Sequence, residues 1–251
     1  MISDNSTDRR ARKRTARRDH LLALALDLVD REGVDGLTMT ALAQESDYAT
    51  ASLYTYFPSR SALVAAVQVS ALGTLAEVAR GAVADWDRAL PAGAPARPAA
   101  LARLLAFAEL FLAAPVTHRR EFRLQQQLLV TAGAEEPADA AGVVPAAMAV
   151  LDVPRQLILQ AAAARALRPA DPAEDPLGNT VDGGLTRTLT WVTALNGTLQ
   201  VDALRTGLPL AGAHLGRELT RTLLAGWGAR PADLAAATEL ARTLPHPGGP
   251  R

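Results

Sequence analysis

Residues 37–63, LTMTALAQESDYATASLYTYFPSRSAL, decide how this chain reads. Thr38 has the short hydroxyl side chain that caps a helix amino end, and Leu42 and Ala43 follow it on one apolar face. Ser46 and Asp47 supply a corner, because aspartate tolerates the left-handed backbone that a tight turn demands. A second short helix, over about residues 49–56, carries small hydroxyl residues first and two tyrosines last. A further helix opens after the Pro58-Ser59 break. Two short helices around such a corner form a helix-turn-helix, a motif that inserts the leading side chains of its second helix into a DNA major groove.

Immediately upstream, residues 9–18 read RRARKRTARR, seven cations in ten positions, within a chain whose formal net charge is zero. Alone, such a run is a solvated tail. Beside a helix-turn-helix it reads as a flexible basic arm that follows phosphates or enters a minor groove, with Arg14, Arg17 and Arg18 nearest the motif. Residues 19–57 hold one cation, Arg31, against seven acids; Asp19, Asp27, Asp30, Glu32 and Asp35 fall on the first helix or in turns, where they can face away from DNA. The arm therefore provides much of the nonspecific attraction. If every cation of residues 9–18 met a phosphate, the salt slope would approach about −6, at roughly −0.9 per neutralised phosphate.

Composition excludes several chemistries. The 251 residues contain no cysteine, which removes disulfides, zinc–thiolate sites and thiol nucleophiles. His20, His118, His214 and His246 have no partner at metal-ligand spacing, so neither metal nor cofactor is expected. No phosphate-cradling glycine loop, GxSxG elbow or apolar carboxylate pair marks an enzyme, and no catalytic residue is assigned. Hydrophobic residues make up 49% of the chain and aromatics only 4%, with alanine and leucine dominant, which favours an all-α protein. Basic residues before LLALALDLV superficially suggest a signal peptide. That run is interrupted by Asp27, lacks a small-x-small cleavage site, and places Leu22, Ala25, Leu26 and Val29 at the spacing of a packed helix. No later segment reads as long and uncharged enough to span a bilayer, so a cytoplasmic protein without a membrane partner is expected.

Helices punctuated by Pro and Gly fill the remainder. They are expected over residues 59–80, 99–113, from Pro115 to about 131, and over 145–167 with a bend near Pro154. Residues 133–144 read as a small-residue loop, and residues 168–179, RPADPAEDPLGN, as a proline- and acid-rich one. Two stronger helices follow near 183–206 and 210–227, joined at Gly207-Leu208-Pro209, and a weaker one lies over 231–244. The pair reads as a helical hairpin. Leu185, Leu189, Val192, Leu199 and Ala203 recur along its first helix, and Leu215, Leu219, Leu223 and Trp227 along its second.

Residues 18–63 resemble the DNA-binding domain of the TetR family of transcriptional repressors. The elements that carry the likeness are HLLALALDLVDREG ending at Gly33, Thr38 opening the next helix, Ala41-Leu42-Ala43, the run Leu53-Tyr54-Thr55-Tyr56-Phe57, and Ser59-Arg60-Ser61-Ala62-Leu63. The resemblance implies a three-helix DNA-binding domain over 19–66 behind a basic arm at 1–18. It also implies a helical effector-binding and dimerisation domain over 67–244, and the tail 245–251 reads as disordered. Thr38 would present its hydroxyl and N–H to a phosphate, Thr50 and Ser52 would hydrogen-bond base edges, and Ala51 would meet a thymine methyl. Tyr54, Tyr56 and Arg60 would contact the backbone. Asp47 stands where the family usually has Gly, Ala49 where a capping Ser is common, and Thr50 where Lys or Arg often reaches the groove. Readout then leans on hydroxyls, methyl contacts, water and DNA shape.

By the same resemblance two copies would pair through the helices near 183–206 and 210–227, setting two heads on a pseudo-palindromic operator in double-stranded DNA. A small, lipophilic effector would enter the body among Phe107, Phe111, Phe122, Gln126, Trp191 and Asn196 and release the repressor. The alternatives are a DNA-binding regulator or adaptor with no effector and, further off, a helical enzyme.

Overall fold

The computed structural model describes residues 4–130, 136–170, 184–203 and 211–246. Among them there are helices and no strand. In chain order these are α1 (Asp4–Gly36), α2 (Met39–Ser46), α3 (Thr50–Leu53), α4 (Arg60–Ala89), α5 (Ala96–Thr117), α6 (Arg119–Val130), α7 (Pro137–Ala140), α8 (Val143–Ala163), α9 (Gly184–Ala203), α10 (Gly212–Gly226) and α11 (Pro231–Thr243). They sort into two compact units. The first is Met1–Leu75 with His118–Met148, and the second is Ala76–Thr117 with Ala149–Arg251.

The first unit is built on α1. Leu21, Ala25, Leu28 and Val29 recur at helical spacing and are buried together with Leu42 of α2, Leu53 of α3, Phe57, and Leu63, Val64 and Val67 of α4. At Gly33 the backbone turns to φ 79°, ending the regular part of α1. An added Cβ there would meet only Gln127 Nε2 at 3.8 Å, so it is the positive φ rather than crowding that favours glycine. This head was expected to close at residue 66 as one continuous stretch, yet α6 belongs to it. Leu124 of α6 is 1% exposed within the same core. Around it Arg120 pairs with Asp27, and Arg123 Nη1 donates to the Asp30 carbonyl at 2.7 Å and to its carboxylate at 3.2 Å. Two acids of the first helix thus face arginines of α6. The Arg120 pKa is raised, first by its hydrogen bond to Asp27.

The second unit centres on α5, where Leu101, Leu104, Ala106, Phe107 and Ala108 are all buried among α9, α10 and α11. Trp86 of α4 is fully enclosed, and its Nε1–H donates to the Pro245 carbonyl at 3.0 Å, which anchors the chain beyond α11. Trp191 of α9 is 0% exposed, donates Nε1–H to Thr220 Oγ1 of α10 at 3.0 Å, and lies 5.4 Å from the Phe107 ring. Gly216 lets α10 approach α5 and α9: a Cβ there would stand 2.6 Å from Leu112 and 3.0 Å from Thr198 Oγ1.

Several boundaries differ from expectation. The basic stretch expected as a flexible arm continues α1 as helix back to Asp4. α4 runs on to Ala89 because Trp86 is buried at its far end. Pro115 was expected to open a helix and instead sits in the last turn of α5, where a missing N–H interrupts little before the end at Thr117. α8 continues through Pro154, whose side chain is buried. α7 occupies part of the expected 133–144 loop. The expected loop at 168–179 lies outside the described residues from 171 onward, as does the joint at Gly207-Leu208-Pro209. The helix over 231–244 is not weak: α11 packs along α5 and buries Ala237 and Ala241.

The expectation of no bilayer-length apolar segment also needs correcting. By length and composition α4, α5 and the stretch Pro137–Ala163 could each cross a membrane, with peak window hydropathies of 1.7, 1.8 and 1.4. The charges and prolines are spaced widely enough to leave such windows open. In α5, 61% of the window is buried inside this one chain, so core packing accounts for most of its apolar character.

Candidate nucleic-acid interface

The corner that presents α3 is held by local chemistry. Thr38 is extended at φ −119°, ψ 159°, and its Oγ1 accepts the Ala41 N–H at 3.0 Å, capping α2. After eight residues of helix α2 stops at Asp47, which adopts the left-handed conformation with φ 56° and ψ 27°. Tyr48 N–H bonds back to the Ala43 carbonyl at 3.1 Å, and the Ser46 hydroxyl donates to the Leu42 carbonyl at 2.6 Å. α3 then begins at Thr50 after Ala49, which makes no side-chain cap.

α3 is shorter than expected, ending at Leu53, with a turn over residues 54–56 in place of a longer helix. The turn is set by burial: Leu53 and Phe57 are 0% and 1% exposed, and both Tyr56 and Phe57 N–H groups return to the Leu53 carbonyl at 2.9 Å. Ala51, Ser52 and Tyr54 are exposed, Tyr54 at 51%, whereas Thr50 is half-buried. Tyr56 is half-buried and packs partly against the head core.

The basic end of α1 passes beside this turn. Arg14 Nη2 donates to the Thr55 carbonyl at 3.1 Å, and the Arg18 guanidinium lies 5.4 Å from the Phe57 ring centroid. Arg14, Arg17 and Arg18 are exposed and therefore available to a polyanion. Helical geometry fixes them along the flank of the recognition turn. Elsewhere on the head Arg31 pairs with Glu45 at 2.8 Å, tying α1 to α2.

Arg60 has a task that its position in the sequence does not reveal. Nε donates to the Leu37 carbonyl and Nη2 to the Val34 carbonyl, each at 2.8 Å, so the guanidinium fastens α4 to the loop before Thr38. Ser59 Oγ accepts the Ala62 N–H at 2.9 Å and caps the same helix.

The six residues expected to meet an effector are divided between the two units. Phe107 and Trp191 are buried in the body core, with Phe111 half-buried against it. Asn196 donates to the Val192 carbonyl at 3.1 Å one turn back on α9. Phe122 and Gln126 are on α6, in the other unit. Among the described residues no group of three or more His, Asp and Glu side chains could hold a metal ion.

A capped helix, a left-handed aspartate corner and a short exposed second helix define a helix-turn-helix head, joined in sequence to an all-helical body. Residues 21–67 match the family model of the bacterial regulatory proteins, tetR family. Over these residues the chain carries a TetR-family DNA-binding domain. Solved structures show the same fold along most of the chain. A protein of unknown function from Rhodococcus sp. RHA1 is 23% identical, with a TM-score of 0.61 over 84% of this chain and 94% of that one. A putative TetR-family regulator from Mesorhizobium loti MAFF303099 is 16% identical, with a TM-score of 0.58 over 86% and 99%. SmeT, the repressor of the Stenotrophomonas maltophilia multidrug efflux pump SmeDEF, is 14% identical, with a TM-score of 0.56 over 93% and 96%. No curated protein matches the chain.

Proposed function

We propose that the protein is a ligand-responsive repressor that binds a pseudo-palindromic operator as a homodimer. The observation that carries this reading is the docking of the cationic end of α1 beside the recognition turn, through Arg14 on Thr55 and Arg18 over Phe57. Thr50, Ala51 and Ser52 then read base edges, Thr38 and Tyr54 meet phosphates with Tyr56 in support, and Arg14, Arg17 and Arg18 follow the backbone. Arg60 holds the frame and still has donors to offer a phosphate, since a guanidinium carries five. Because it acts on chromosomal DNA, the protein works in the cytoplasm.

Pairing of two chains through α9 and α10 is supported by how their apolar residues divide. Leu185 is buried, and the half-buried Leu199, Leu223 and Trp227 pack against the subunit's own core. Leu189, Val192, Leu215 and Leu219 are half-buried and stand outside that core, leaving an apolar stripe for a second copy. A lipophilic effector entering near Phe107, Phe111, Trp191 and Asn196 releases operator DNA only by binding the DNA-incompetent form better, a coupling of roughly 1–3 kcal/mol in typical systems.

The test is enrichment of chromosomal fragments on the purified protein, followed by footprinting. A protected site with two half-sites related by a dyad is expected, and uniform binding to all fragments would refute the reading. Thermal-shift screening of lipophilic compounds tests the effector. A stabilising compound that leaves operator binding intact would favour the adaptor alternative.

A further inference from the structure

Between α5, α10 and α11 the second unit carries a groove of about 420 Å3, and none of the six residues expected to meet the effector lines it. Its floor is apolar, formed by Leu105, Ala108, Ala113 and Ala241, while its walls bear the guanidinium groups of Arg217, Arg221 and Arg242. One carboxylate, that of Glu109, faces them. Arg217 grips it in a fork, with Nε at 2.6 Å and Nη2 at 2.9 Å. The pKa of Arg217 is raised, first by that hydrogen bond. Glu109 is thus already matched.

The other two cations are held more loosely. Arg221 is paired with Glu218 at 3.0 Å and Arg242 with Glu239 at 2.6 Å, each one turn away on its own helix and each pair well exposed. Such solvent-facing pairs contribute little net stability and are readily exchanged for another anion. Neither glutamate lines the groove. Two guanidiniums over a hydrocarbon floor therefore form an amphipathic receptor: forked donors match a carboxylate, and Leu105 with its alanine neighbours offers dry contact for carbon. The volume lies in the range of about 300–1,000 Å3 usual for small-molecule sites.

We infer that this groove binds a small organic anion, a carboxylate on a short hydrocarbon body, with Arg221 and Arg242 holding the carboxylate and Leu105, Ala108 and Ala241 the hydrocarbon. A bare inorganic anion would satisfy the arginines and leave the floor wet, whereas an amine would meet like charge. The site is separate from the effector proposed above and stands without it. Its occupant also lies against Thr220, whose hydroxyl accepts the Trp191 indole N–H, so binding has an optical reporter in the body core.

The test titrates the full-length protein with octanoate, acetate and octylammonium at low ionic strength, by calorimetry and tryptophan fluorescence, beside the double variant R221Q/R242Q. Octanoate should bind saturably, one per chain, at least tenfold tighter than either other probe. In the folded double variant its affinity should fall at least tenfold. R242E, at an exposed position, provides a second variant and should weaken octanoate at least as much as R242Q. The inference is overturned by absence of saturable octanoate binding, by acetate or octylammonium binding as tightly, or by unchanged affinity in folded R221Q/R242Q or R242E.

Discussion

Arg60 separates two roles that one residue can be asked to fill. Its bonds to the Val34 and Leu37 carbonyls fix the loop on which α2 is capped, so Arg60→Ala should lower the stability of the fold by about 1.5–3 kcal/mol, as loss of charge-assisted hydrogen bonds does. Arg60→Lys should recover little, because one ammonium cannot reproduce the fork. Urea unfolding monitored by circular dichroism measures both; a residue serving DNA alone would leave the midpoint unmoved. Thr38→Ala should cost about 1 kcal/mol through the lost cap, and Thr38→Ser almost nothing. The roles of Thr38 and Asp47 within the motif were legible because caps and left-handed corners are settled by residues three or four apart. The partners of Arg60 lie 23 and 26 positions away in the chain, beyond any local rule.

At the scale of elements, the helical course of residues 8–18 is the main departure from what composition suggested. Seven close-set cations repel one another and read as an arm. In the structure Asp8 pairs with Arg12 one turn on, and Arg14 and Arg18 find partners on the recognition turn. Replacing Arg14, Arg17 and Arg18 together by Gln should flatten the plot of log affinity against log salt by nearly 3, at about 0.9 per lost phosphate contact. Anisotropy titrations across a salt series read this directly, and an unchanged slope would mean that these arginines face water in the complex. α6 was harder to foresee. Its RREFRL segment carries arginines that meet Asp27 and Asp30, but nothing local to the segment says that Leu124 plugs the head. Leu124→Ala should therefore destabilise the DNA-binding unit by about 2–5 kcal/mol, visible as early loss of operator binding on heating.

For the whole molecule, the division of apolar residues along α9 and α10 carries the strongest prediction. Periodicity alone placed nine apolar positions on this pair without saying which way each faced. Packing buries Leu185 and sets the half-buried Leu199, Leu223 and Trp227 against the body core, whereas the half-buried Leu189, Val192, Leu215 and Leu219 stand outside it. Leu219→Glu should yield a folded monomer by light scattering and weaken operator binding at least a hundredfold, since one head alone reads a half-site. A Leu219→Glu protein that remains dimeric would move the interface elsewhere.

The head is assembled from two stretches of chain, Met1–Leu75 and His118–Met148, with α5 lying between them in sequence. Anyone wishing to graft this DNA reader onto another protein by cutting after the match at residue 67 would leave a socket where Leu124 belongs and strip Asp27 and Asp30 of their arginines. A portable version must splice α6 back in through a linker bridging the excised α5. The same discontinuity means that a ribosome has to deliver about half the polypeptide before the reader can close.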